Sequence, residues 1–155
     1  MEEQFKLYCT NGNLELAKKH YELEPNIDGG TYTGAFIGAA KNGHIEVMQW
    51  IYSINPDLDV NAFNFGFLHA VQRMDKNQTQ WLFSAKPEIN QDIYQMAFMD
   101  TCKNGIMDFA QFLYTLNPNM DRSAVEGAFN MACFYNQWSI IDWLYTVRRA
   151  DEYFG

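Results

Sequence analysis

The four prolines of this 155-residue chain, Pro25, Pro56, Pro87 and Pro118, stand 31 residues apart, and no other feature narrows the fold so far. Gly12, Gly43 and Gly105 lie on a second grid of the same 31-residue spacing, whose two other positions hold Met74 and Asn136. Stacked on that period without a gap, the chain aligns Phe5, Phe36, Phe67, Phe98 and Phe129 in one column, and Tyr21, Tyr52, Phe83, Tyr114 and Tyr145 in another. Trp50, Trp81, Phe112 and Trp143 form a third, and Asp28, Asp59, Asn90 and Asp121 a fourth. Self-similarity at a fixed period of this length marks a tandem array of supersecondary units. The reading is a single domain, 1–155, with a partial first unit at about 1–29 and further units at about 30–60, 61–91, 92–122 and 123–155.

Each unit reads as two helices. Phe63, Gly66, Phe67, Ala70 and Val71 recur at i, i+3, i+4, i+7 and i+8, one face of a helix. The same columns give Tyr94, Ala97, Phe98, Thr101 and Cys102, then Val125, Ala128, Phe129, Ala132 and Cys133. Asn61, Asp92 and Ser123 are the expected N-caps, with Gln95 and Glu126 at capping-box spacing from the last two. The glycine column ends this first helix, because glycine accepts the left-handed conformation that costs other residues about 1–2 kcal/mol. A second helix is predicted over 45–54, with Ile45, Met48, Ile51 and Tyr52 inward, closed by Asn55-Pro56. The small columns Ala35/Gly66/Ala97/Ala128 and Ala39/Ala70/Thr101/Ala132 let neighbouring helices approach closely. One such pair cannot bury its own apolar face, so the units are expected to pile up as an all-α solenoid.

Residues 39–59, AAKNGHIEVMQWIYSINPDLD, resemble the Ala-Ala-x-x-Gly-His-Leu-Glu-Val core of the ankyrin repeat. So do TNGNLELAKKHYELEPNID, DTCKNGIMDFAQFLY and, more weakly, ACFYNQWSIIDWLY, so the resemblance spans nearly the whole chain. The Trp-Leu-Tyr ending and the Asn-Pro close look like the divergent ankyrin repeats of large DNA viruses of amoebae. The chain departs from the family pattern in its 31-residue period, against about 33, and in lacking Thr-Pro-Leu-His at the first helix. The missing residues belong to the connecting finger, so shortened fingers are expected. The resemblance implies a non-catalytic protein–protein interaction module that presents a concave groove to a protein partner, a host protein if the chain is viral. It also implies that His44 makes a structural hydrogen bond.

Composition removes several other classes. Eleven Lys and Arg against nineteen Asp and Glu give a net charge of −8, which opposes binding to nucleic acid and anionic membranes. The opening MEEQFKLYCT lacks a basic segment followed by an apolar one, and no apolar run is long enough to span a bilayer, so a cytoplasmic chain is expected, in the host cytoplasm if viral. Cys9, Cys102 and Cys133 share a column with Ala40 and Val71, which reads as small core positions in a reducing compartment, without metal. His20 reads as an exposed cap residue in a core column, beside Lys19, and His69 stands on an outer face, so no catalytic residues and no metal or cofactor site are expected. The Asp28 column is read as bonding local backbone N–H groups rather than calcium.

The partner face is sought where columns vary in chemistry. Solvent-facing positions on the first helices are read as Thr33, Ile37 and Lys41; Asn64, Leu68 and Gln72; Gln95, Met99 and Lys103; and Glu126, Asn130 and Phe134. Ile37, Leu68 and Met99 form an apolar stripe suited to the centre of an interface. The third unit is aberrant: its turn reads Arg73-Met74-Asp75-Lys76-Asn77-Gln78 and is expected to be the least protected interior segment. The last unit keeps Trp138, Ile141, Trp143, Leu144 and Tyr145. Its outer face is expected to be apolar, either docking a partner or second copy, which is the alternative reading of a self-assembling structural protein, or covered by the final residues VRRADEYFG.

Overall fold

The computed structural model describes the backbone of residues 1–154 and the side chains of residues 1–150, so the last five residues of VRRADEYFG lie outside the described side chains. Over the described residues the chain is all-helical, without a strand. One compact unit, Met1–Ile89, holds three helical hairpins: α1 (Glu2–Thr10) with α2 (Leu14–Leu23), α3 (Gly29–Lys41) with α4 (Ile45–Ile54), and α5 (Val60–Gln72) with α6 (Lys76–Ala85). A second unit, beginning at Asn90, holds α7 (Gln91–Lys103) with α8 (Met107–Leu116) and α9 (Arg122–Phe134) with α10 (Trp138–Phe154). In the first unit α3 touches both α1 and α5; in the second α7 packs on α9. The period now has a physical partition: a first helix of 13 residues, a three-residue turn, a second helix of 10 and a connection of five, as in α3, 42–44, α4 and 55–59.

The first helices start two residues earlier than the sequence suggested. Their N-caps are Asp28, Asp59, Asn90 and Asp121, not Asn61, Asp92 and Ser123. The capping oxygens accept the N–H of Thr31 at 3.0 Å, Asn61 at 2.9 Å, Asp92 at 2.8 Å and Ser123 at 3.1 Å. An extended residue at the end of a five-residue connection aims its short acceptor at the otherwise unpaired first N–H groups. The Thr31 hydroxyl, with its N–H, holds the Asp28 carboxyl at about 2. Ser123 and Glu126 form no capping box; Glu126 instead accepts the Arg148 Nε at 2.9 Å. The connections also bury an apolar column not singled out in the sequence: Leu58, Ile89 and Met120 are 4%, 1% and 7% exposed.

The turns follow one plan. Gly12, Gly43 and Gly105 have φ of +74°, +79° and +71°, and Met74 and Asn136 adopt the same left-handed conformation at +56° and +57°. The following N–H reaches back five residues to a helix carbonyl, His44 to Ala39 at 2.9 Å, Asp75 to Ala70 at 2.9 Å and Gln137 to Ala132 at 2.8 Å. That is the long bond of a Schellman motif, closing carbonyls a helix end leaves open.

Packing between hairpins is aromatic. Phe5, Phe36, Phe67 and Phe98 are fully buried, each worth roughly 1.5–3 kcal/mol relative to exposure. Trp50 lies 6.1 Å from Phe5 and 5.9 Å from Tyr21, both on the preceding hairpin. Trp81 repeats this on Phe36 and Tyr52 at 6.3 and 6.1 Å, and Trp143 on Phe98 and Tyr114 at 6.3 and 5.8 Å. The Trp–Tyr pairs are edge-on, a favoured aromatic geometry. Phe129 departs from its column: it is half-buried, and the Arg148 guanidinium rather than a tryptophan covers its ring at 4.3 Å.

The aberrant third turn is not a gap in the structure. Arg73 Nη1 donates to the carbonyls of Ala40 and Lys41, both at 2.8 Å, and its Nη2 donates to Gln78 Oε1 at 2.9 Å. Gln78, fully buried, donates its amide to the Ala40 carbonyl at 2.9 Å. Asp75 caps α6 through the Gln78 N–H at 3.0 Å. A cation is thus seated on the carbonyl end of α3, where the helix dipole favours it. These polar bonds across hairpins oppose the expectation of a weakly protected segment.

Two substitutions in this turn are therefore expected to move stability in opposite directions. Met74→Gly should stabilise the protein by about 1 kcal/mol, by relieving the left-handed methionine. Arg73→Ala should destabilise it by about 2–3 kcal/mol, the range for lost charge-assisted bonds to carbonyls. Denaturant melts of both variants check this, and equal effects in one direction would contradict it.

Candidate interaction surface

The face read from the sequence is carried by the outer sides of the first helices, and each unit presents its own part. In the first unit Lys41 and Gln72 are exposed, while Ile37 and Leu68 are half-buried. Thr33 is also half-buried and turns its hydroxyl back to the Gly29 carbonyl at 2.9 Å. Asn64 is a correction: it is only 7% exposed. Thr33, Gln95 and Glu126 of the same column are half-buried, so the burial belongs to this hairpin and not to the column.

In the second unit Met99 and Lys103 are half-buried, and Asn130 and Phe134 are exposed. Met99 is seated on the next first helix: a Cβ built on Gly127 would stand 3.1 Å from its sulfur. Its stripe therefore contributes to helix packing as well as to surface. Lys6 lies against Gly34 in the first unit in the same way. Lys103 holds its ammonium 5.1 Å above the Tyr135 ring and 4.0 Å from Asp100, and Glu126 is paired with Arg148.

Among the described residues of the second unit, a cluster of exposed aromatic side chains lies beside this row, at the α9–α10 turn. Phe134 is 79% exposed, Trp138 70% and Tyr135 45%, and the Phe134 and Tyr135 rings meet edge-on at 5.1 Å. Phe134 is read from the sequence as part of the first-helix row, and Trp138 as part of the last unit whose outer face is expected to be apolar. Tyr135 was detectable by a comparison of columns, whereas Trp138 stands in the mostly apolar column of Leu14, Ile45, Lys76 and Met107, which gives no such signal. Phe134 replaces Thr10, Lys41, Gln72 and Lys103, and Tyr135 replaces Asn11, Asn42, Arg73 and Asn104. Two polar columns thus turn aromatic side by side.

The remaining polar chemistry is dispersed. His20 is half-buried, not exposed, with its ring 6.0 Å from Phe5 and 6.2 Å from Tyr8. His44 makes no side-chain cap bond to α4; its ring lies over Gly12 of the preceding turn. Among the described residues, no three His, Cys, Asp or Glu side chains gather closely enough to hold a metal ion, and no helix is long and apolar enough to cross a membrane. Cys9 and Cys102 occupy the core, where burial pushes both thiols up to about 12. Cys133 is exposed, against the expectation for its column, because no later helix among the described residues packs on that side of α9 as α9 does on α7.

Comparison with family models, curated proteins and solved structures found no match to this chain. The three thiols offer a direct check on the packing. At pH 8 the native protein is expected to give one fast reaction with a thiol reagent, at Cys133, and two more only after denaturation. Three fast thiols in the native state would contradict the buried placement of Cys9 and Cys102.

Proposed function

We propose that the chain is an ankyrin-like solenoid of 31-residue hairpins with shortened fingers, and that it serves as a protein–protein interaction module without catalysis of its own. The partner face is carried by the first helices and the turns that follow them, and the resemblance to viral repeats makes a host protein the proposed target. The single observation that carries this reading is the aromatic turn of Phe134, Tyr135 and Trp138, held exposed on a helical frame. Exposed aromatic side chains on a rigid surface are the usual anchors of protein interfaces, because burying them on a partner yields much area for little lost side-chain freedom. Asn130 and Lys103, in the adjoining rows, supply the polar rim such an anchor needs.

Substitution of Phe134 and Trp138 together by Ser tests the reading. The fold should be retained, with stability within about 0.5 kcal/mol of the parent, since both side chains are largely free of the core. Binding to a protein captured by the parent chain from its native cell should weaken by about a hundredfold or more, the loss expected for two anchor residues. Capture of the same protein at unchanged affinity would remove the aromatic turn as the binding site.

A further inference from the structure

Three rings of the first unit meet as the walls of a corner. Tyr52, on α4, stands edge-on to Phe63, on α5, at 5.3 Å and to Trp81, on α6, at 6.1 Å. Phe63 and Trp81 lie 6.2 Å apart and are inclined by 31°. Phe63 is fully buried, whereas Tyr52 and Trp81 are half-buried, so the corner reaches solvent along those two rings. Its occupant is a cation of the chain itself. The half-buried Lys86, at the end of α6, holds its ammonium 5.8 Å from the centre of the Phe63 ring and 6.0 Å from that of Tyr52. Among the described residues no carboxylate stands within 4.0 Å of that ammonium. Lys103 differs: it sits closer to its ring, 5.1 Å above Tyr135, and has Asp100 at 4.0 Å.

We propose that this corner is a binding site for a trimethylated lysine on a basic segment of a protein partner, with Lys86 as a displaceable stand-in. The walls select that group. A primary ammonium is strongly hydrated and is best served by a carboxylate, and rings alone hold it weakly at about 6 Å, the limit of cation–π reach. A quaternary ammonium has no N–H to satisfy, and its methyl groups fill the space that the bare ammonium leaves against the rings. Lys86 leaves at small cost, because its ammonium regains full hydration in water. The acidic side chains nearby set the rest of the partner. The connections that border the corner, 55–59 and 86–89, expose Asp57, Asp59 and Glu88, which attract basic residues flanking the methylated one. The lysine is particular to this hairpin, since Asn55 and Asn117 hold the matching positions before Pro56 and Pro118. The corner belongs to the first unit and the aromatic turn to the second, so the two readings hold or fall separately.

The test is titration of the full chain, read by NMR at the indole N–H of Trp81, with Trp50 as the internal control. The probes are tetramethylammonium, choline, and a short Lys/Arg-rich peptide with and without one trimethylated lysine. The variants are Lys86→Asn, which places at this connection the residue found before Pro56 and Pro118 and so keeps the fold, and Lys86→Met, which fills the corner without charge. Tetramethylammonium should shift Trp81 and leave Trp50 unmoved. The methylated peptide should bind the parent roughly tenfold more tightly than the unmodified one, the range for a desolvated cation on aromatic faces. Lys86→Asn should tighten binding by about twofold to fivefold, the factor given by the cation–π contact no longer displaced. Lys86→Met should weaken it below the parent, because an apolar side chain gains nothing by leaving the corner for water. The proposal is overturned if Trp81 does not respond in Lys86→Asn, if Trp50 responds equally, or if the two peptides bind alike. Choline bound more tightly than the methylated peptide would also overturn it, as would Lys86→Asn binding no better than the parent.

Discussion

A two-helix hairpin of this size has one apolar side too many. Its two helices bury part of their apolar surface on each other, but the outer side of the first-helix phenylalanine remains, and water must be kept from it by something outside the hairpin. In this chain that something is the tryptophan of the next hairpin, set edge-on to a tyrosine and tilted against the phenylalanine. The constraint is local and repeats, so the sequence repeats with it. The small columns at Ala35, Gly66, Ala97 and Ala128 follow from the same demand, since a large side chain there would lift neighbouring first helices apart; a Cβ on Gly66 already meets Ala40 at 3.3 Å.

The turn between the two helices is the second demand, and the chain meets it by more than one chemical route. Glycine is the simplest, as at Gly43. Asn136 takes the left-handed conformation at modest cost because its short polar side chain tolerates that region. Met74 has no such excuse, and at that turn the backbone energy is offset by bonds made elsewhere, from Arg73 and Gln78 to the end of α3. Strain in one hairpin is thereby set against bonds made between two.

Much of this was legible because each column offers several copies of one environment. The bounds of α4, the buried faces of α5 and α7 and the left-handed turn positions all follow from residues that agree down a column. Comparison down columns fails where two neighbouring columns agree equally well. Asp59 and Asn61, Asn90 and Asp92, and Asp121 and Ser123 are all good caps two residues apart, and only the backbone direction at the end of the connection selects the first of each pair. It also fails for contacts that run diagonally between columns. Arg73 reaches back 33 residues to Ala40, off the 31-residue grid, so nothing in its own column announces the bond. Asn64 shows a third limit: it is buried where Thr33, Gln95 and Glu126 of its column are half-buried, so a column fixes a position's side of the helix but not the depth at which one hairpin's neighbours leave it.

The hairpin of α9 and α10 brings these arguments to one place. Had its departures been drift released from the demand for packing, polar and apolar replacements would be scattered over its surface without regard to position. They are instead sorted. Where Phe5, Phe36 and Phe98 meet a tryptophan, Phe129 meets the Arg148 guanidinium, while the turn at the start of α10 has exchanged polar residues for Phe134 and Tyr135. Tyr145 and Met131, 52% and 39% exposed, stay open elsewhere on the hairpin, so the aromatic turn stands out by the clustering of its rings. Two aromatic rings in contact at one turn, where both matching columns are otherwise polar, are what drift alone would be least expected to leave.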